Sequence, residues 1–233
     1  MLAGTGAAVD IAGRTRQIRP MNRRAALFAL LLAVQPLAVH AQSRSVALSA
    51  QDQADLGRIE TYLNGVRALH ARFLQVAPDG RTSEGQAWLE RPGRMRFQYD
   101  PPSPFLLVAG GGFLTFYDSS LKQTSNIPLG STPLSILLAD QVNLRAGTLA
   151  VTDFRRLPGQ IQVSLTRTAT PQEGTLTLIF ADPPLALRQW IVTAAQGKRT
   201  SVTLYDAQFG GHFDQSLFHF IDPRFFGNGN TPG

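Results

Sequence analysis

Trp88-Leu89-Glu90-Arg91-Pro92-Gly93-Arg94-Met95-Arg96-Phe97-Gln98-Tyr99 is the stretch that decides the fold. It reads as strand, tight turn, strand. Pro92-Gly93 punctuates it, and Met95, Phe97 and Tyr99 alternate with Arg94, Arg96 and Gln98. A period of two with one apolar and one cationic face means a strand buried on one side only.

The same pattern continues outward. Strands are expected over residues 73–76, 85–90, 94–99, 105–108, 113–117 and 123–127. In the second half they are expected over 151–156, 161–166, 175–180, 187–192 and 200–205. Ile161, Val163 and Leu165 alternate with Gln162, Ser164 and Thr166, as antiparallel sheets wet on one face require. Gly110-Gly111-Gly112 lies between two strands, so it reads as a hairpin turn and not as a phosphate cradle before a helix. Residues 49–69 read as a helix. Ser49 and Asp52 resemble a capping box, and Leu56, Ile59, Leu63 and Val66 form one apolar stripe. A second helix is expected from Thr132 as N-cap and Pro133 at the first turn to about Ala139. The fold class is therefore mainly β (α+β), a strongly curved antiparallel sheet with helices on its concave side. A sheet of about ten strands must curl or split.

The N-terminus reads as an address. Met21-Asn22-Arg23-Arg24 is basic, residues 25–34 are apolar, and Val39-His40-Ala41 fits a cleavage site, so residues 1–41 read as a removed secretory signal. Residues 1–20 read as an over-extended start, with translation beginning at Met1 or Met21. The apolar run is too short to span a bilayer. The chain holds 22 basic and 16 acidic residues, of which five arginines and Asp10 fall in residues 1–41. The remaining 17 and 15 leave no case for nucleic acid. One domain is expected over residues 42–226, with a disordered tail over 227–233.

Chemistry-bearing motifs are missing. The chain has no cysteine, which excludes disulfides, thiol catalysis and a lipid carried on cysteine. His70, His212, His219 and Asp214 have no recognised metal spacing, no nucleophile–base set stands out, and no cofactor is implied. Phe209, Phe213, Phe218, Phe220, Phe225 and Phe226 read as structural.

The Trp88–Phe97 run resembles the signature of the periplasmic outer-membrane lipoprotein carrier family, LolA. Phe73-x-Gln75, Asp79-Gly80, Gly85, Tyr117-Asp118, Gln123 and Thr132-Pro133-Leu134-Ser135-Ile136-Leu137-Leu138 match it in the same order. The triple glycine at 110–112 and the sparse charge on the first helix depart from it. The resemblance implies an incomplete barrel with a helical lid, and a monomeric periplasmic carrier that is not an enzyme. Its implied partners are outer-membrane-destined lipoproteins and an inner-membrane ABC exporter, with a separate outer-membrane acceptor left open. It also implies an acyl cavity lined by Leu63, Val66, Trp88, Met95, Phe97, Leu134, Leu137 and Leu138. Arg91 is expected to hold carbonyls of the loop before Thr132 and so control the lid. A lipid-responsive regulator that binds a protein partner on the same sheet is the alternative.

Overall fold

The computed structural model describes residues 46–223. The expected signal and tail, with Phe225 and Phe226, lie outside the described residues.

The chain order is α1 (Ala50–Gly65), β1 (Ala68–Val76), β2 (Thr82–Glu90), β3 (Arg94–Tyr99), β4 (Phe105–Gly110), β5 (Phe113–Asp118), β6 (Gln123–Pro128), α2 (Leu134–Leu137), β7 (Leu149–Leu157), β8 (Gln160–Arg167), β9 (Gly174–Ala181), β10 (Ala186–Ala194) and β11 (Arg199–Phe209). The strands form one antiparallel sheet in the order β6-β5-β4-β3-β2-β1-β11-β10-β9-β8-β7. Strands β6 and β7 follow one another in sequence yet form its two free edges, so the sheet is not closed into a barrel. Residues 129–148 must therefore cross from one edge to the other, and α2 lies on that crossover.

The alternation expected from the sequence sets the two faces. Leu89 pairs with Met95, Ala87 with Phe97 and Gly85 with Tyr99. These residues are buried with Leu69, Ala71 and Phe73 of β1 in one core. The stripe of α1 enters the same core, with Leu56, Ile59 and Leu63 buried. Laid flat, eleven strands would span roughly 48 Å. Curvature instead lets one core hold Leu114 of β5 and Val151 of β7 together.

The N-terminus of α1 forms as expected. The Ser49 amide donates to Asp52 Oδ2 at 2.9 Å, and the Asp52 amide donates back to Ser49 Oγ at 3.1 Å. The helix ends four residues earlier than expected, at Gly65, with Val66 already extended. Residues 68–72 join β1 because all five find ladder partners on β2, and Leu69, His70 and Arg72 also on β11. Tertiary pairing there overrides the helical stripe.

The second helix is also shorter than expected, a single turn whose N-cap is Pro133 with no side-chain cap. Thr132 does not cap it. Its hydroxyl donates instead to the Leu129 carbonyl at 2.9 Å. The triple glycine turns between β4 and β5, with Gly111 and Gly112 at φ +56° and +84°. Gly110 has a second role, because a Cβ there would lie 2.2 Å from the Phe218 carbonyl oxygen. That glycine lets the C-terminal segment lie directly on the sheet's outer face.

Candidate functional site

The site lies where α1, α2 and the β2–β3 turn converge. Each helix leaves carbonyls without intrahelical partners at its C-terminus. Arg91, in the turn after β2, serves both ends. Its Nε donates to the Leu137 carbonyl at 2.9 Å, and its Nη1 donates to the Leu63 carbonyl at 2.7 Å. Two residues on, the Gly93 amide donates to the Leu138 carbonyl at 2.8 Å. Arg91 therefore takes carbonyls at the ends of α1 and α2, and not those of the loop before Thr132. The loop before Thr132 ends in a compact turn whose carbonyls lie elsewhere, and α2 is what reaches the β2–β3 turn.

Arg91 is only 7 % exposed, and its Nη2 has no hydrogen-bond partner. Burial, with Arg67 nearby, pushes its pKa down to about 10, while Asp140 acts the other way. It stays charged at neutral pH. A buried charge with an unused donor is costly. The desolvation therefore opposes the two carbonyl bonds.

Further polar contacts bind the crossover to α1. Asn64 makes two bonds with one residue, donating to the Val142 carbonyl at 2.9 Å and accepting from its amide at 2.9 Å. Glu60 accepts from the Leu144 amide at 2.6 Å and pairs with Arg145. Arg67 donates to the Asp140 carbonyl at 2.7 Å and pairs with its carboxylate. The helix is in turn fixed to the sheet by Asp55, which is buried between Arg58 and Arg156. Burial alone would raise the Asp55 pKa, but hydrogen bonds from Arg156 and Arg58 outweigh it and hold the carboxyl below the usual range. The sequence does not single out Asn64, Glu60, Arg67 or Asp55. Asp55, Glu60 and Asn64 each adjoin a residue of the apolar stripe of α1, and Arg67 follows the helix.

The expected lining residues divide by face. Leu63, Val66, Arg91 and Leu137 surround one small cavity, together with Leu89, Leu187 and Phe209. Met95, Phe97 and Leu138 are buried in the core beneath it, and Leu134 packs against that core half-buried. Phe209, read from the sequence as structural, is 52 % exposed at this cavity beside Tyr62. Trp88 does not line the cavity. It pairs across the ladder with Arg96 and stacks on His70, ring centroids 5.0 Å apart, on the opposite face. The strict two-residue period puts Trp88 out of phase with Leu89. The C-terminal segment shares that outer face, where Arg96 donates to the Leu217 carbonyl at 3.2 Å.

The interior is full. Met95 and Phe97 are 0 % and 2 % exposed, and the cavity by Arg91 encloses about 20 Å³. That is room for about one water, against roughly 300–1,000 Å³ for ordinary ligand sites. A run of aromatic contacts leads out of this interior. Trp190 meets Phe97 at 6.0 Å, Phe97 meets Phe73 at 4.6 Å, and Phe73 meets Tyr99 at 5.1 Å. Tyr99 meets Phe105 at 6.0 Å, and Phe105 meets Phe116, 37 % exposed, at 5.2 Å.

Residues 64–221 match the family model described as "Outer membrane lipoprotein carrier protein LolA". The chain belongs to the LolA family. Its relatives include the outer-membrane lipoprotein carrier protein of Pseudomonas aeruginosa, 28% identical over 201 residues, which cover 82% of this chain and 95% of that protein. The carrier protein of the same name from Chromohalobacter salexigens is 28% identical over 195 residues, 77% of this chain and 90% of its own. Among solved structures, a LolA superfamily protein from Nitrosomonas europaea is 12% identical with a TM-score of 0.39, covering 75% of this chain and 99% of that one. LolA family members carry the name of carriers, not of enzymes. No helix among the described residues is long and apolar enough to cross a membrane.

Proposed function

We propose that this LolA-family chain is a periplasmic carrier that shelters the acyl chains of lipoproteins beneath its lid. It receives them from an inner-membrane ABC exporter and delivers them towards the outer membrane. The observation that carries this reading is an apolar interior closed by an arginine on two helix ends. Such an interior can open without unfolding the sheet. The energetic need is plain. Each buried methylene is worth about 0.8 kcal/mol, so two or three long acyl chains amount to tens of kcal/mol, roughly, against crossing water. No chemical step is required, only a dry surface and a means of exposing it.

Leu63, Val66, Leu134, Leu137 and Leu138 form the movable side of that surface, and Met95 and Phe97 the sheet side. The Arg91 bonds exist only when the lid is shut. They favour the empty, closed form and so assist release. Arg91→Leu removes them and adds apolar surface facing the cargo. Folding and loading survive, and transfer of a labelled lipoprotein from the purified carrier to outer-membrane vesicles slows about tenfold. Transfer at the wild-type rate would make Arg91 a purely structural residue. Mass spectrometry of the protein from its native periplasm tests the cargo itself: triacylated lipoprotein is expected, and a stable protein partner without lipid would favour a regulator.

A further inference from the structure

The lid has a second hold, at its other end. Arg167 closes β8, next to the free edge β7. Its Nη1 donates to the Gly130 carbonyl, and its Nη2 reaches the Thr132 carbonyl at 3.5 Å. Glu173 pairs with the same Nη1 at 2.8 Å. Gly130 and Thr132 lie just after β6, the opposite edge of the sheet. Followed through the ladders, Pro128 of β6 shares its end of the sheet with Gln160 of β8, and Arg167 stands at the other end. The two meet because the sheet twists as well as curls.

We propose that Arg167, aimed by Glu173, is a clamp across the seam between the two free edges, and that it must let go before the interior can admit an acyl chain. This rests on the carrier reading above. No ladder joins β6 to β7, so the seam lacks the hydrogen bonds that hold every other strand to its neighbours. The clamp grips the lid before α2, whereas Arg91 grips it after. The helical turn thus lies between two arginines that can be broken separately. Their burial differs in a way that orders them. The Arg167 and Glu173 side chains are 25% and 23% exposed, so water already reaches their contacts, whereas Arg91 is only 7% exposed. The seam is the end that opens first. Beside Arg167 an open cleft of about 280 Å³ already lies between the lid and the β7 edge, lined by Ile136, Val142 and Leu149 among others. Lifting the lid from Arg167 enlarges that cleft into the core.

Arg167 acts through the lid backbone and is a positioning residue. The chain has no native cysteine, so Ser125→Cys on β6 and Ala169→Cys after β8 can carry two spin labels. In the cargo-free protein, double electron–electron resonance should give a longer and broader distance for Arg167→Ala, with Arg167→Lys in between because an ammonium can reach a carbonyl but lacks the fork. Uptake of the apolar fluorophore N-phenyl-1-naphthylamine should quicken about three- to tenfold. Unchanged distance and uptake in Arg167→Ala, even with a lowered melting temperature, would overturn the clamp. Lipoprotein capture is scored separately. A widened seam in a protein that captures no lipoprotein leaves the clamp standing and removes the carrier reading.

Discussion

The β2–β3 hairpin has two faces that differ in almost every respect. One presents Leu89, Met95 and Phe97, all buried against α1, the lid and the other strands. The other presents Trp88 and Arg96, with Trp88 stacked on His70 of the neighbouring β1, in a partly solvated row that the C-terminal segment only partly covers. Both faces carry large apolar side chains, so size and hydrophobicity do not mark the inner face. Phase does. A residue belongs to the interior if it is in register with Leu89, whatever its chemistry. Trp88, the bulkiest member of the hairpin, is excluded by one position.

The largest effect expected from this contrast comes from placing a charge on the inner face. Phe97→Asp puts a carboxylate where the side chain is 2 % exposed and touches Phe73 and Trp190. Loss of packing and an unpaired buried charge together should cost at least about 4 kcal/mol. Urea denaturation should find the protein largely unfolded. The interior is filled, so Phe97 is part of the protein's own core and the fold depends on it.

A smaller effect tests how the inner face keeps its cover. Asp55 is held below the usual carboxylate range by Arg156 and Arg58, and Asp52 is lowered too, by Ser49 first and then Arg156. A depressed folded pKa gives stability that is complete above the ordinary Asp value, about 4, and lost as pH falls through the lowered one. The melting temperature should drop as pH falls below about 4, and Asp55→Asn should flatten that drop. A slope identical in the variant would mean that this ion pair does not anchor α1.

The smallest effect belongs to the outer face. Trp88→Ala should cost only about 1 kcal/mol, from loss of the His70 stack, and leave lipoprotein loading at the wild-type level. Impaired loading with normal stability would break the distinction between the faces.

Much of this was legible in the sequence because the period of two is a local property. The strands around Met95 and Phe97, the turn at 110–112 and the Ser49 cap all follow from neighbours in the chain. What escaped depends on partners far away. The true end of α1 at Gly65 is set by ladders to β2 and β11. The carbonyls that Arg91 takes are set by where α2 stops. Asn64 and Glu60 gain their roles only because residues 142–145 come to lie against them. Arg167 meets Gly130 only through the accumulated twist of the whole sheet. Trp88 lies outside the interior for a local reason, because the period of two sets it one position out of phase with Leu89.

Acyl chains held on the Leu89-phase face, as proposed above, would lie beside Val66 and away from Trp88. A photo-crosslinking amino acid placed in turn at Val66, beside the cavity, and at Trp88, on the outer face, tests it directly. After loading with a triacylated lipoprotein and irradiation, an adduct carrying the acyl moiety is expected at position 66 and none at position 88. An acyl adduct at position 88 with none at position 66 would contradict it.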